Sequence, residues 1–311
     1  MGLLSSLFGG KESDQAQQKK QEKKNFEILK YDGIRAQNMK QIPYAIKCFT
    51  QAIALNEDNE TLELLANAYL NIGDTGNAHS TLNRLTEKDP ANIKALLSLA
   101  NVCYMEGNYE EMRNVCNKIL GQDSNNATAY LLAGKAEHCL KNELQAIVML
   151  TKAIAQDESF TKAYLLRAEV LWDMQQIQEA ANDITQVLSR DPDEEDALLL
   201  KGKIEASQGN IKEAIDCFDR VIALNPFNEK SYLLKGELLL KQKDFNNAIA
   251  TYNEAIELIP DNAAIYRERG RAKLLNGEKD ESVKDMKKAL ELSPESQKLS
   301  GEFHNYPKPE A

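Results

Sequence analysis

The stretch "AYLLAGKA" at residues 129–136 returns as "AYLLRAEV" from Ala163, "ALLLKGKI" from Ala197 and "SYLLKGEL" from Ser231, at steps of 34. A fixed period in this range marks a repeat array, so it is tested before any other reading. Gly134, Gly202, Gly236 and Gly270 fall at multiples of 34, and Ala168 fills the gap in that series. Ala146, Ala180, Ala214 and Ala248 follow each small residue by twelve, and Pro192, Pro226, Pro260 and Pro294 follow twelve later. Upstream, Gly107, Tyr109, Ala66, Tyr69, Gly73, Ala78 and Pro90 continue the pattern, and Gly33, Ala45, Phe49 and Ala52 begin it. That makes eight units at a step of 34, with one step of 33 between the first and the second.

Each unit reads as two antiparallel helices. In "SYLLKGELLLKQKDFNNAIATYNEAIELIPDN", residues 231–262, apolar side chains recur at helical spacing on both sides of the polar turn "KQKD", and Pro260 closes the second stretch. Gly236 and Ala248 are small where two helices must approach, whereas Tyr232 and Tyr252 fill volume. Proline has no amide hydrogen and clashes inside a helix, so at this period it punctuates between units. One helix pair cannot bury its apolar face alone, and neighbouring copies must complete the core.

This pattern of Tyr, Gly, Tyr or Leu, Ala, Phe or Tyr, Ala and Pro over 34 residues resembles the tetratricopeptide repeat. The resemblance covers residues 26–295, in units starting near 26, 59, 93, 127, 161, 195, 229 and 263. It implies an all-α fold, a right-handed α-solenoid of tandem helix-turn-helix units. Departures are local: Met112 and Cys116 replace Ala and an aromatic, Ser124 and Glu158 replace Pro, and Ser282 replaces Ala.

Composition narrows the function. Asp plus Glu outnumber Lys plus Arg by 48 to 38, a net charge of −10. Phosphate neutralisation needs a basic face, so RNA, the ligand of the competing 35-residue helical repeat, is disfavoured. The five cysteines, 48, 103, 116, 139 and 217, are odd in number and form no CxxC pair, which points to reduced thiols in a cytoplasm-like compartment. The three histidines, His79, His138 and His304, look too scattered for a triad or a ligand cluster, and no glycine-rich phosphate loop is present. The expectation is a protein that is not an enzyme and carries no cofactor and no metal.

In the family that the repeats resemble, first helices line a groove and a small set of motif positions faces it. Carried over, one position gives Leu97, Leu131, Leu165, Leu199 and Leu233, and another gives Tyr104, His138, Trp172, Leu240 and Leu274. Two readings stand for the leucine ladder: a groove lining, since exposed apolar surface marks interaction sites, or core packed on the next unit. The groove positions also carry Lys94, Lys135, Lys162, Lys203, Lys230, Lys241, Arg267 and Arg271 against Glu169, Asp173, Asp196 and Glu237, eight cations to four carboxylates. The expected site is Leu97, Tyr104, Leu131, Lys135, Leu165, Trp172, Leu199, Lys203, Leu233, Arg267 and Arg271, holding a partner peptide with apolar and acidic residues. The carboxylate clamp of chaperone-binding members would fall on Lys30, Ile34, Leu64, Lys94 and Ser98. Only the two lysines match, so heat-shock chaperone tails are not expected as ligands.

The ends carry the alternative reading, a self-assembling scaffold at a membrane surface. Leu3, Leu4, Leu7 and Phe8 share one helical face of "MGLLSSLFGG", too short to span a bilayer but suited to peripheral membrane contact with Lys19, Lys20, Lys23 and Lys24, and Gly2 and Ser6 match a myristoylation pattern. A plain unanchored terminus is the other reading of the same residues. Residues 11–25 read as a solvated lead-in, and residues 296–311 form a tail whose Leu299, Phe303 and Tyr306 would cover the last unit or pair with a second copy.

Overall fold

The computed structural model describes residues 14–293, and the apolar opening segment and the tail lie outside the described residues. The chain is a succession of helix pairs: α1 (Asp14–Asn38) with α2 (Ile42–Leu55), α3 (Asn59–Asn71) with α4 (Thr75–Lys88), α5 (Ile93–Met105) with α6 (Tyr109–Gln122), and α7 (Ala127–Cys139) with α8 (Glu143–Gln156). The second half repeats the form with α9 (Thr161–Asp173) and α10 (Ile177–Arg190), α11 (Glu195–Ser207) and α12 (Ile211–Leu224), α13 (Glu229–Lys241) and α14 (Phe245–Leu258), and α15 (Ala263–Leu275) and α16 (Lys279–Leu292). No strand occurs among the described residues. The fold is therefore an all-α solenoid of tandem helix hairpins. The described hairpins group into two compact units that divide between Ala163 and Tyr164.

Local chemistry explains where each helix starts and stops. Between units the chain runs Asp or Asn, often Pro, then a capping residue. Asn225 folds an Asx turn onto the amide of Phe227, and Asn228 accepts a hydrogen bond from the Ser231 amide to open α13. Asp58, Asn92, Asn126 and Asn262 cap α3, α5, α7 and α15 in the same way. Within each hairpin the turn needs one residue with positive φ. Gly73, Gly107, Gly209 and Gly277 supply it in four hairpins, and Lys40, Lys141, Gln175 and Lys243 in the others.

The small residues read from the sequence stand where helices touch. In the first unit Gly33 meets the ring of Phe49, and Gly134 meets Leu150. In the second, Gly202 meets Phe218, and Gly236 meets Tyr252. Phe49, Phe218 and Tyr252 are each buried at 1% exposure or less. Ion pairs reinforce the hairpins from within: Arg167 holds Asp183 through Nε and Nη2, each at 2.7 Å, and Arg269 holds Asp285 at 2.8 and 2.6 Å. No helix among the described residues is long and apolar enough to cross a membrane.

Candidate peptide-binding face

The residues expected to line the groove separate into three groups. Leu97 and Leu233 are half-buried and pack against the cores of their own units, while Leu131 and Leu165 are half-buried as well. Leu199 departs from the groove reading: at 5% exposure it belongs to the core formed with Leu198, Ala214, Phe218, Val221 and Leu238. A leucine in a first helix is drawn into the space left by the neighbouring hairpin, and at this position that space is deep enough to take the whole side chain. Leu240 is buried too, at 7%, whereas Leu274 is exposed.

The cations differ in how far their charge is already met. Lys135 Nζ lies 3.6 Å from the centre of the Tyr104 ring, which joins α7 to α5 by a cation–π contact. Lys94 pairs with Glu63. Arg267 and Arg271 both lie against Glu268, at 3.4 and 3.3 Å. Eight cations are therefore set against six carboxylates, because Glu63 and Glu268 lie just outside the positions counted from the sequence. Lys30, which would begin the carboxylate clamp, is tied to Asp58 at 3.4 Å and Glu60 at 2.6 Å.

Trp172 and Lys203 come together in the second unit. They line a cavity of about 400 Å³ with Leu234, Glu237, Leu238 and Lys241, built from α9, α11 and α13 over the edge of Phe218. Lys241 reaches Glu237 at 2.8 Å. Lys203 makes no ion pair among the described residues, and the Trp172 indole N–H donates to none of their atoms. The cavity thus offers an apolar wall, an indole with a free donor and an uncompensated cation. Leu234 and Leu238 were absent from the sequence expectation because they lie one position beyond the motif's facing set. Their half-buried and buried apolar character at helical spacing was the available signal.

A polar cluster in the first unit was also unforeseen. His79 on α4 places Nδ1 2.5 Å from Glu106 Oε2 and Nε2 3.1 Å from Glu111 Oε1, and the buried thiol of Cys103 stands beside them. Burial alone would lower the His79 pKa, but the two glutamate contacts outweigh it and hold it above the ordinary imidazole value. Burial, helped by the charges of Glu111 and Glu106, pushes the Cys103 thiol up to about 12. The histidines are scattered along the chain, but the fold brings His79 together with Cys103 and Glu111.

Comparison with known proteins agrees with the fold. Tetratricopeptide-repeat family profiles match residues 63–127 and 165–229, a further repeat profile matches 236–277, and another tetratricopeptide-repeat profile matches 263–296. Among solved structures, a tetratricopeptide repeat protein from Parabacteroides merdae superposes with a TM-score of 0.63 at 20% identity, over 78% of this chain and 96% of that one. The APC/C hetero-tetramer Cut9–Hcn1 superposes with a TM-score of 0.59 at 16% identity, over 84% of this chain and 51% of that one. MamA from Desulfovibrio magneticus gives 0.51 at 18% identity, over 55% and 97%. The comparison with curated proteins returns no match. With eight hairpins at one period and repeat profiles across both units, the chain belongs to the tetratricopeptide repeat family.

Proposed function

We propose that this protein is a non-enzymatic adaptor whose first-helix face holds a partner peptide carrying an apolar anchor next to acidic residues. The observation that carries this reading is the cavity bounded by Trp172, Lys203 and Lys241. Its apolar wall has room for one large side chain, and its cations call for carboxylates beside that side chain. Tryptophan is the residue type most often found to dominate binding energy, and this chain has one. That single indole lines the cavity, so its emission is the natural reporter of whether a peptide enters.

The test is a peptide array probed with the full-length chain. Enriched peptides should pair Leu, Ile or Phe with Asp or Glu, shift the Trp172 emission on titration, and lose affinity at high salt. Enrichment of basic peptides, or binders that leave the emission unchanged, would overturn the reading.

Self-assembly is the second reading, favoured by Leu275, Val283 and Leu290, which the last hairpin leaves exposed. A mass that rises with concentration and reverts to monomer in Val283→Glu would favour a scaffold role, and a constant monomer mass would remove it. Contact with a membrane surface through Leu3, Leu4, Leu7 and Phe8 rests on the sequence, and a co-sedimentation comparison with and without residues 1–10 decides it.

A further inference from the structure

The joints between hairpins in the first unit follow one register, and one joint breaks its chemistry. Ile46 and Tyr69 belong to one apolar cluster where the first two hairpins meet. One period later the equivalent residues are His79 and Cys103, and one period later again they are Arg113 and Glu137, an ion pair at 4.0 Å. Further along, the place of His79 is taken by Ile147, Ala181, Ile215, Ile249 and Val283. A position that is apolar in most hairpins is thus occupied by an imidazole, and it faces a thiol and two carboxylates.

We propose that His79, Cys103 and Glu111 form a binding site for a zinc-class divalent cation. One nitrogen, one sulfur and one oxygen donor, all within 4.8 Å of one another, are contributed by three helices, α4, α5 and α6. Zinc bonds of ~2.0–2.3 Å in tetrahedral array would need these donors to settle roughly 3.5 Å apart, a closing movement of side chains rather than helices. The mixed N, S and O set suits zinc and disfavours magnesium or calcium, which demand oxygen.

The surroundings are those of a prepared site. Glu106 Oε2 holds Nδ1 at 2.5 Å and leaves Nε2 facing Glu111 Oε1 at 3.1 Å. Glu111 is steadied on its second oxygen by Asn108 Nδ2 at 2.6 Å. Cys103 lies at the buried floor, while His79 and Glu111 keep 17% and 35% of their side-chain surfaces open, which leaves a path for the ion. The cation would be met by a neutral imidazole, a thiolate and a carboxylate, with any protons on these ligands passing to solvent as it binds. The bound ion would pin the second hairpin to the third.

The full-length chain, stripped with chelator, is titrated with Co²⁺ as a spectroscopic probe and with Zn²⁺ as competitor. One equivalent of cobalt should give a thiolate charge-transfer band, which zinc abolishes, and zinc should raise the melting temperature. His79→Gln and Glu111→Gln, both at partly open positions, should remove the band, Glu106→Gln should weaken binding about 10- to 100-fold, and Cys116→Ser should leave it intact. Absence of the band in the unaltered chain, or its survival in His79→Gln with helicity retained, would overturn the site.

Discussion

Gly236 and Tyr252 are in such close contact that a Cβ added to the glycine would lie 2.2 Å from Cζ of the ring. The ring cannot retreat, because Tyr252 is fully buried. Gly236→Ala should therefore destabilise the second unit by ~1–3 kcal/mol, the usual cost of overpacking, read as a lower urea midpoint. Gly76, which has open space around it and sits in the exposed first turn of α4, should accept alanine without loss.

The same tyrosine supports an opposite prediction. Its hydroxyl is buried with no hydrogen-bond partner among the described residues, and burial raises its pKa well above the ordinary phenol value. Phe49 and Phe218 fill the equivalent place against Gly33 and Gly202. Tyr252→Phe should thus keep the packing and remove the cost of an unsatisfied polar group, gaining ~1 kcal/mol. An equal loss in urea melts would mean that the hydroxyl is satisfied after all.

Why was so much of this legible beforehand? Period, helix class and the small-against-large contacts are properties that every hairpin must meet separately, so eight copies state them eight times. Pairing of charges is different, because Arg267 and Arg271 are compensated by Glu268, a residue outside the facing positions, and Lys94 by Glu63 in the preceding hairpin. The leucine ladder divided for a similar reason: depth depends on how closely the next hairpin approaches, and that buried Leu199 while leaving Leu233 half-open. His79 and Cys103 were hidden by a separation of 24 residues, visible only when positions one period apart are compared.

Turn chemistry gives a third prediction. Lys141 and Lys243 adopt φ of 64° and 60° at the place where Gly107 and Gly209 stand in other hairpins. The left-handed conformation costs a side-chain-bearing residue ~1–2 kcal/mol, which the greater freedom of glycine in the unfolded chain offsets only by about half. Lys141→Gly and Lys243→Gly should each stabilise the protein slightly, by ~0.5 kcal/mol or more, whereas Gly209→Ala should weaken it despite the open space around it. Urea midpoints of the three variants check the sign.

Acid should loosen the last hairpin. Burial acts to raise the Asp285 pKa, but hydrogen bonds from Arg269 and Lys273 outweigh it and hold the carboxyl below the ordinary range. A depressed folded-state pKa means stability that is present above the unfolded value of ~3.9 and lost as pH falls through the lower folded value. Asp285→Asn leaves two cations without their partner and should cost ~3 kcal/mol near pH 7. The gap between variant and unaltered chain should narrow progressively as pH falls below the unfolded carboxyl value, and a gap independent of pH would remove the electrostatic explanation.

The binding face supports the last prediction, because its cations are unequal. Arg267 and Arg271 already share Glu268 at the exposed end, so reversing them should change affinity for an acidic peptide less than about fivefold, the scale of a rim ion pair. Lys203, with no ion partner among the described residues and lining the Trp172 cavity, should matter more. Lys203→Glu and Trp172→Ala should each weaken binding by ~2 kcal/mol or more, about 30-fold, while circular dichroism stays unchanged. If the arginine reversals instead cost more than Lys203→Glu, the contact lies at the last hairpin, and the cavity is only a gap between helices.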